Sequence, residues 1–243
     1  MINRALPFSL AAAIGLATVS SASAVVLLFD VGAAGTQAVA PTNNIVEAQA
    51  AIANATDTTG SATGISVATV GFNASNTNGT TSPTGAAGAI FGSPFTQDSL
   101  FGNSLVPVGG APFNGVLRPS ATLTFSGLDV TGATSYSFDF FASRTGVTDN
   151  RETEYAVAGL TTVSAFLNAS ANVSEIATVS NMIPTAGGTI TLTVDPGPNN
   201  NNTNGFYYLG AFRLTTAPVP EPSSAGLLIL GAAGALRRRR SVR

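Results

Sequence analysis

Lysine, histidine, cysteine and tryptophan are all absent from the 243 residues, and each absence removes a class of chemistry. Without cysteine there are no disulfides, so packing and backbone hydrogen bonds alone hold the chain together. Without cysteine or histidine, metal sites of the zinc type are excluded. Without histidine or lysine, a serine has no conventional base to activate it. Charge of either sign is scarce, at 9% of residues. Between Val25 and Pro222 only Arg118, Arg144, Arg151 and Arg213 are basic, against all 12 acidic residues. That excess of negative charge leaves no electrostatic footprint for nucleic acid and nothing to hold an anionic lipid surface. It permits cation binding without showing it.

What is present is most distinctive at the two ends. Met1-Ile2-Asn3-Arg4 precedes an apolar run from Ala5 to Val19 and then Ala22-Ser23-Ala24. A positive start, a short apolar stretch and an A-x-A site with Ala22 and Ala24 read as a secretory signal peptide over 1–24. Sec-type export machinery and a signal peptidase are the partners this implies. At the other end, Pro220, Glu221 and Pro222 are followed by an apolar segment from Ala225 to Leu236 and by Arg237, Arg238, Arg239 and Arg240. As a helix that segment reaches about 18 Å at ~1.5 Å per residue, short of a ~30 Å hydrocarbon core. The four arginines would hold the terminus in the cytoplasm.

That three-part order resembles the PEP-CTERM sorting signals of bacteria that make exopolysaccharide. The resemblance implies an exosortase, a membrane cysteine protease, acting near Pro220-Glu221-Pro222 on a tail spanning 217–243. Membrane contact is then expected only through the terminal helices, and the mature protein at the cell surface or outside the cell.

The body between, 25–216, alternates apolar and polar residues with period 2, the pattern of half-buried antiparallel strands. Ile190, Leu192 and Val194 share one face, as do Leu123 and Phe125, and Tyr136, Phe138 and Phe140. Continued through Gly205–Thr215, the same period aligns Phe206, Tyr208, Phe212 and Leu214. Weaker candidates lie at 25–31, 64–72, 153–158, 162–167 and 175–179. The turn signals Asp195-Pro196-Gly197-Pro198 and Ala186-Gly187-Gly188 separate them. Residues 43–53 read either as one Asn-capped helix or as a loop entering a strand. Residues 73–115 read as long loops with two short strands. About nine strands predict an all-β chain, a jelly-roll-like antiparallel β-sandwich flanked by an N-terminal signal helix and a short C-terminal hydrophobic helix.

Three stretches of the body resemble galactose-binding-like or malectin-like sandwiches. They are Leu27-Leu28-Phe29-Asp30-Val31-Gly32, the run from Phe140 to Tyr155, and Phe206–Leu214. The resemblance implies a jelly roll and a carbohydrate-binding role, although the tryptophan that commonly stacks on pyranose rings is missing.

The densest charge cluster, Arg144, Asp149, Asn150, Arg151 and Glu152, is the candidate ligand site. Its arginines and carboxylates suit directional hydrogen bonds to sugar hydroxyls or acidic sugars. The structural alternative is an Arg144–Glu152 pair that closes a loop. Gln97-Asp98-Ser99-Leu100 resembles the nucleophile motif of GDSL esterases without its glycine, but no base is available to complete a triad. Carboxylates such as Glu152, Glu154, Asp139 and Glu175 would serve a glycosidase only if two of them faced each other across a cleft. The loop 195–205 offers oxygens but lacks the alternation of an EF-hand. No catalytic residue, metal site or cofactor is therefore expected. The reading is a non-enzymatic surface or matrix protein, structural or weakly carbohydrate-binding and associated with exopolysaccharide. The alternative is a secreted glycan-acting enzyme using paired carboxylates.

Overall fold

Alternation becomes pairing in the computed structural model, which describes residues 24–47 and 51–219. Ala22, Pro220, Glu221, Pro222 and the arginines 237–240 lie outside the described residues, as do both expected terminal helices. Fourteen strands are formed among the described residues: β1 (Val26–Gly32), β2 (Asn43–Val46), β3 (Ala51–Ile52), β4 (Ser66–Val70), β5 (Ala74–Asn76), β6 (Ser99–Asn103) and β7 (Ala121–Ser126) in the first half. In the second half come β8 (Thr134–Phe141), β9 (Glu152–Ala158), β10 (Thr162–Asn168), β11 (Ala177–Met182), β12 (Ile190–Pro196), β13 (Phe206–Leu209) and β14 (Ala211–Pro218). Two short helices, α1 (Gly85–Ile90) and α2 (Ser93–Thr96), complete the set.

The strands make a sandwich. One sheet runs β11-β8-β14-β1-β2, the facing sheet β10-β9-β12-β7-β4-β3, and a small third sheet β13-β6-β5 lies beside them. Every named pairing is antiparallel except β1 with β2. The sequence periodicity is realised directly: Ile190, Leu192 and Val194 are fully buried, as are Leu123, Phe125, Phe138 and Phe140. Aromatic rings join the two large sheets. Phe140 of β8 stacks on Tyr155 of β9 at 4.6 Å, and Phe125 of β7 meets Phe138 of β8 edge-on at 5.2 Å. A second cluster, Phe91, Phe141 and Ala211 with Ala87, packs the two short helices onto the outer face of the first sheet.

One open reading is settled and two expectations are corrected. Of the helix and the strand open for 43–53, residues 43–46 take the strand. Asn43 does not cap; its side chain donates to the Leu28 and Thr56 carbonyls and accepts from the Thr56 N–H, which ties it beside β1. The segment 73–115 holds α1 and α2 as well as its two short strands. Most consequentially, 205–215 is two strands rather than one. At Gly210 the chain changes sheets: its N–H donates to Phe141 O and its carbonyl accepts from Val31 N. A Cβ there would lie 2.8 Å from the Asp98 carbonyl. The break shifts the parity, so Tyr207 and Leu209 join Phe212 and Leu214 in the core, while Phe206 and Tyr208 turn to the opposite side.

Packing also explains the Asp30-Val31-Gly32 end of β1. A Cβ on Gly32 would sit 2.2 Å from Asp98 Oδ2, and that carboxylate is fixed by the Ala33 N–H and the Thr36 hydroxyl. Gly32→Ala is therefore expected to cost about 1–3 kcal/mol, as overpacking typically does. Melting followed by circular dichroism should show a midpoint roughly 2–12 °C lower; an unchanged midpoint would mean that Asp98 is free to move.

Candidate functional site

The side of the small sheet turned away from the core carries an aromatic cluster. Phe101 comes from β6, Phe206 and Tyr208 from β13, and Phe113 from the loop between β6 and β7. Phe101 stacks on Tyr208 at 5.6 Å and 22° and meets Phe206 edge-on at 5.6 Å. Phe113 closes the group, 5.5 Å from Phe101 and 5.9 Å from Phe206. Tyr208 is buried, whereas the three phenylalanines are only part-buried. Together with Asn76, Asn78, Arg144 and Arg151 these rings line an open concavity of about 240 Å³.

Arg151 is built onto the rings. Its guanidinium carbon lies 5.4 Å from the Phe206 centroid and 5.9 Å from that of Tyr208, within cation–π range. Nη1 donates to Tyr208 Oη, and Nε donates to both oxygens of Asp149 at 3.1 and 3.0 Å. Burial pushes the Asp149 carboxyl up, but Asn202 Nδ2 and Arg151 outweigh it and hold the group below the usual carboxylate range. The Tyr208 phenol is raised by burial against the opposing pull of Arg151. The result is a fixed, ionised clamp over a greasy floor.

The five residues singled out by charge density divide into two jobs. Arg144 and Arg151 line the concavity, and Asp149 orients Arg151. Asn150 and Glu152 face the neighbouring Asn-rich loop. The Asn150 N–H donates to Asn201 Oδ1, and its own Oδ1 accepts from the Glu152 N–H. Glu152 accepts from both the backbone and the side-chain N–H of Asn199. The expected Arg144–Glu152 pair is thus not made: Arg144 Nη1 donates to the Thr145 carbonyl. The ion pairs among the described residues are Arg151–Asp149 and Arg213–Asp139. Phe101, Phe113, Phe206 and Tyr208 are the residues that charge-based reading passes over. Gly210, a lone glycine inside an alternating aromatic run, is the signal that marks the break.

Other features offer less. A larger concavity of about 410 Å³ is lined by Ala34, Val46, Glu47 and Ser75 and has no ring to stack on. Glu154 and Asp195 are register partners on β9 and β12, and burial followed by the Glu154 charge raises Asp195. Neither lines the aromatic concavity.

No family model matches the chain. No curated protein matches either. Among solved structures, similarity extends to TmCBM61, a carbohydrate-binding module in complex with β-1,4-galactotriose: 13% identity, TM-score 0.25, covering 64% of this chain and 82% of that one. An exo-β-1,3-galactanase from Phanerochaete chrysosporium with galactose is 15% identical at TM-score 0.26, covering 71% of this chain and 34% of that one. The CBM22-1–GH10 modules of Clostridium thermocellum endo-1,4-β-D-xylanase 10B, complexed with xylohexaose, are 11% identical at TM-score 0.25, covering 52% and 26%. These neighbours are carbohydrate-binding modules and glycan-acting enzymes. The sandwich itself rests on the strand pairing described above.

Proposed function

We propose that this chain is an exported carbohydrate-binding module whose sugar site is the concavity over Phe101, Phe113, Phe206 and Tyr208. The observation that carries the reading is Arg151, its guanidinium within 6 Å of two ring centroids and paired with Asp149. A sugar presents C–H faces that suit ring surfaces and hydroxyls that suit guanidinium and amide groups, and the site offers both within one small opening. Among the described residues the Arg144 guanidinium donates only to the Thr145 carbonyl, which leaves most of its fork for a ligand. The rings supply the stacking surface that the missing tryptophans would otherwise provide.

The signal peptide, Pro220-Glu221-Pro222 and the arginine-ended tail support export, exosortase processing at the membrane and association of the mature protein with exopolysaccharide. Affinity electrophoresis of the full-length protein through gels containing galactan, xylan, alginate or neutral exopolysaccharide tests the binding. Retardation by at least one polysaccharide is expected, and free migration through all of them would overturn the reading. The hydrolytic alternative rests on Glu154 facing Asp195. Reducing ends released by the wild type and lost in Asp195→Asn would put it in place of the binding reading.

A further inference from the structure

We propose that Asp30, Asn44 and Asp98 form a calcium site on the outer face of the first sheet, separate from the sugar concavity and independent of that reading. Leu27, Phe29 and Val31 point into the core, so Asp30 and Gly32 occupy the other face of β1. Strand β2 runs parallel to β1 and places Asn44 directly beside Asp30. The Asp98 carboxylate fills the space over Gly32, one side-chain position further along that face. Three oxygen-bearing side chains from three separate segments are thereby brought together.

Their hydrogen bonding is half complete, and in the same way at each carboxylate. Asp30 Oδ2 accepts from the Ala38 N–H and Asp98 Oδ2 from the Ala33 N–H, both at 2.6 Å. Thr36 also donates to Asp98 Oδ2. Asn44 Nδ2 donates to the Ala38 carbonyl at 3.0 Å. The remaining oxygens, Asp30 Oδ1, Asp98 Oδ1 and Asn44 Oδ1, are buried and accept nothing. Asp30 is 2% exposed and Asp98 1%, and both ion pairs of the described residues lie elsewhere. Two buried carboxylates without a counter-charge are costly, and an orphaned acceptor adds its own desolvation penalty.

The donor set selects the ion. Carboxylate and amide oxygens without nitrogen or sulfur suit a hard cation. Calcium accepts six to eight oxygens in flexible geometry, with backbone carbonyls and water filling places that side chains do not. An ion here would tie β1, β2 and the loop 33–38 to the segment that enters β6, the strand carrying Phe101. The sequence alone points to no metal here, because cysteine and histidine are absent and Asp30 and Asp98 stand 68 positions apart in stretches that resemble other motifs.

Thermal unfolding of the full-length protein with excess EDTA and with millimolar CaCl₂ tests the assignment. Calcium at about 100 times its Kd should raise the midpoint by roughly 5–10 °C, and calorimetric titration should count one ion per chain. Asp98→Asn, which keeps the shape and removes the charge, should abolish most of that shift. An unchanged wild-type midpoint in calcium, or an equal shift in Asp98→Asn, would overturn the proposal. If the variant does not fold, the wild-type comparison and the titration still decide.

Discussion

Truncating Phe206 to alanine should weaken binding of a retained polysaccharide by tenfold or more while the fold survives. Phe206 is part-buried at the mouth of the concavity, touches Phe101, Phe113 and Tyr208, and carries the Arg151 guanidinium on its face. Its loss removes one stacking surface and the perch of the cation above it. Aromatic contacts of this kind contribute about 0.5–1.5 kcal/mol and an exposed cation–π contact about 0.5–1 kcal/mol. Tenfold in affinity corresponds to about 1.4 kcal/mol, well within their sum. Tyr208→Phe, which keeps the ring and deletes only the hydroxyl that Arg151 donates to, should have a smaller effect. Dissociation constants from calorimetric titration check both. Equal affinity in wild type and Phe206→Ala would remove the rings from the site.

Phe140→Ala should be the most damaging single truncation in the sandwich, without any effect specific to ligand. Phe140 is fully buried and stacks on Tyr155 and on Phe138, at 4.6 and 5.8 Å. It therefore couples the two large sheets. Phenylalanine-to-alanine changes in cores cost about 3–5 kcal/mol, which for a chain of this size lowers the midpoint by roughly 6–20 °C. Phe166→Ala on the edge strand β10, where the ring is 46% exposed, should cost about 0.5 kcal/mol or less. Urea unfolding of the two variants side by side measures the contrast. Comparable losses would mean that the ring pairs do not join the sheets as described.

The Tyr155 hydroxyl, donating to the Tyr208 carbonyl at 2.8 Å, carries this core rigidity to the floor of the aromatic concavity. Thr153 does the same from β9, its hydroxyl accepting from the Tyr208 N–H at 3.0 Å. The site thus rests on fully buried residues of β9, which limits the ordering cost a ligand has to overcome.

How much of this is legible in the sequence depends on the range of the interaction that decides it. Ile190-Thr191-Leu192-Thr193-Val194 needs only its own alternation to announce a strand with one wet and one dry face, and the sheet agrees residue for residue. Residues 43–46 carry an asparagine and a mild apolar pattern that suit a helix start equally well. Their strand form is decided by Leu28 and Thr56, which the local sequence does not show to be neighbours. The candidate site splits along the same line. Arg144, Asp149 and Arg151 stand out because charge is so rare in this chain. Phe206 and Tyr208 are concealed by their own periodicity, because an unbroken strand would have buried them with Phe212 and Leu214. Only the close approach of the Asp98 carbonyl and the bonds to Val31 and Phe141 make Gly210 a corner. Phe113, in a Gly/Pro-rich loop, has no periodicity to read at all.

On the proposed function, a bound sugar would contact the face of β13 that turns away from the core. Titrating the isotopically labelled protein with the polysaccharide fragment it retains, and following amide and arginine Nε shifts by NMR, tests that directly. Shifts concentrated at Phe101, Phe113, Arg144, Arg151, Phe206 and Tyr208 are the predicted result. Shifts confined to the Ala34–Glu47 concavity or to the Glu154–Asp195 strands, with the aromatic cluster silent, would contradict it.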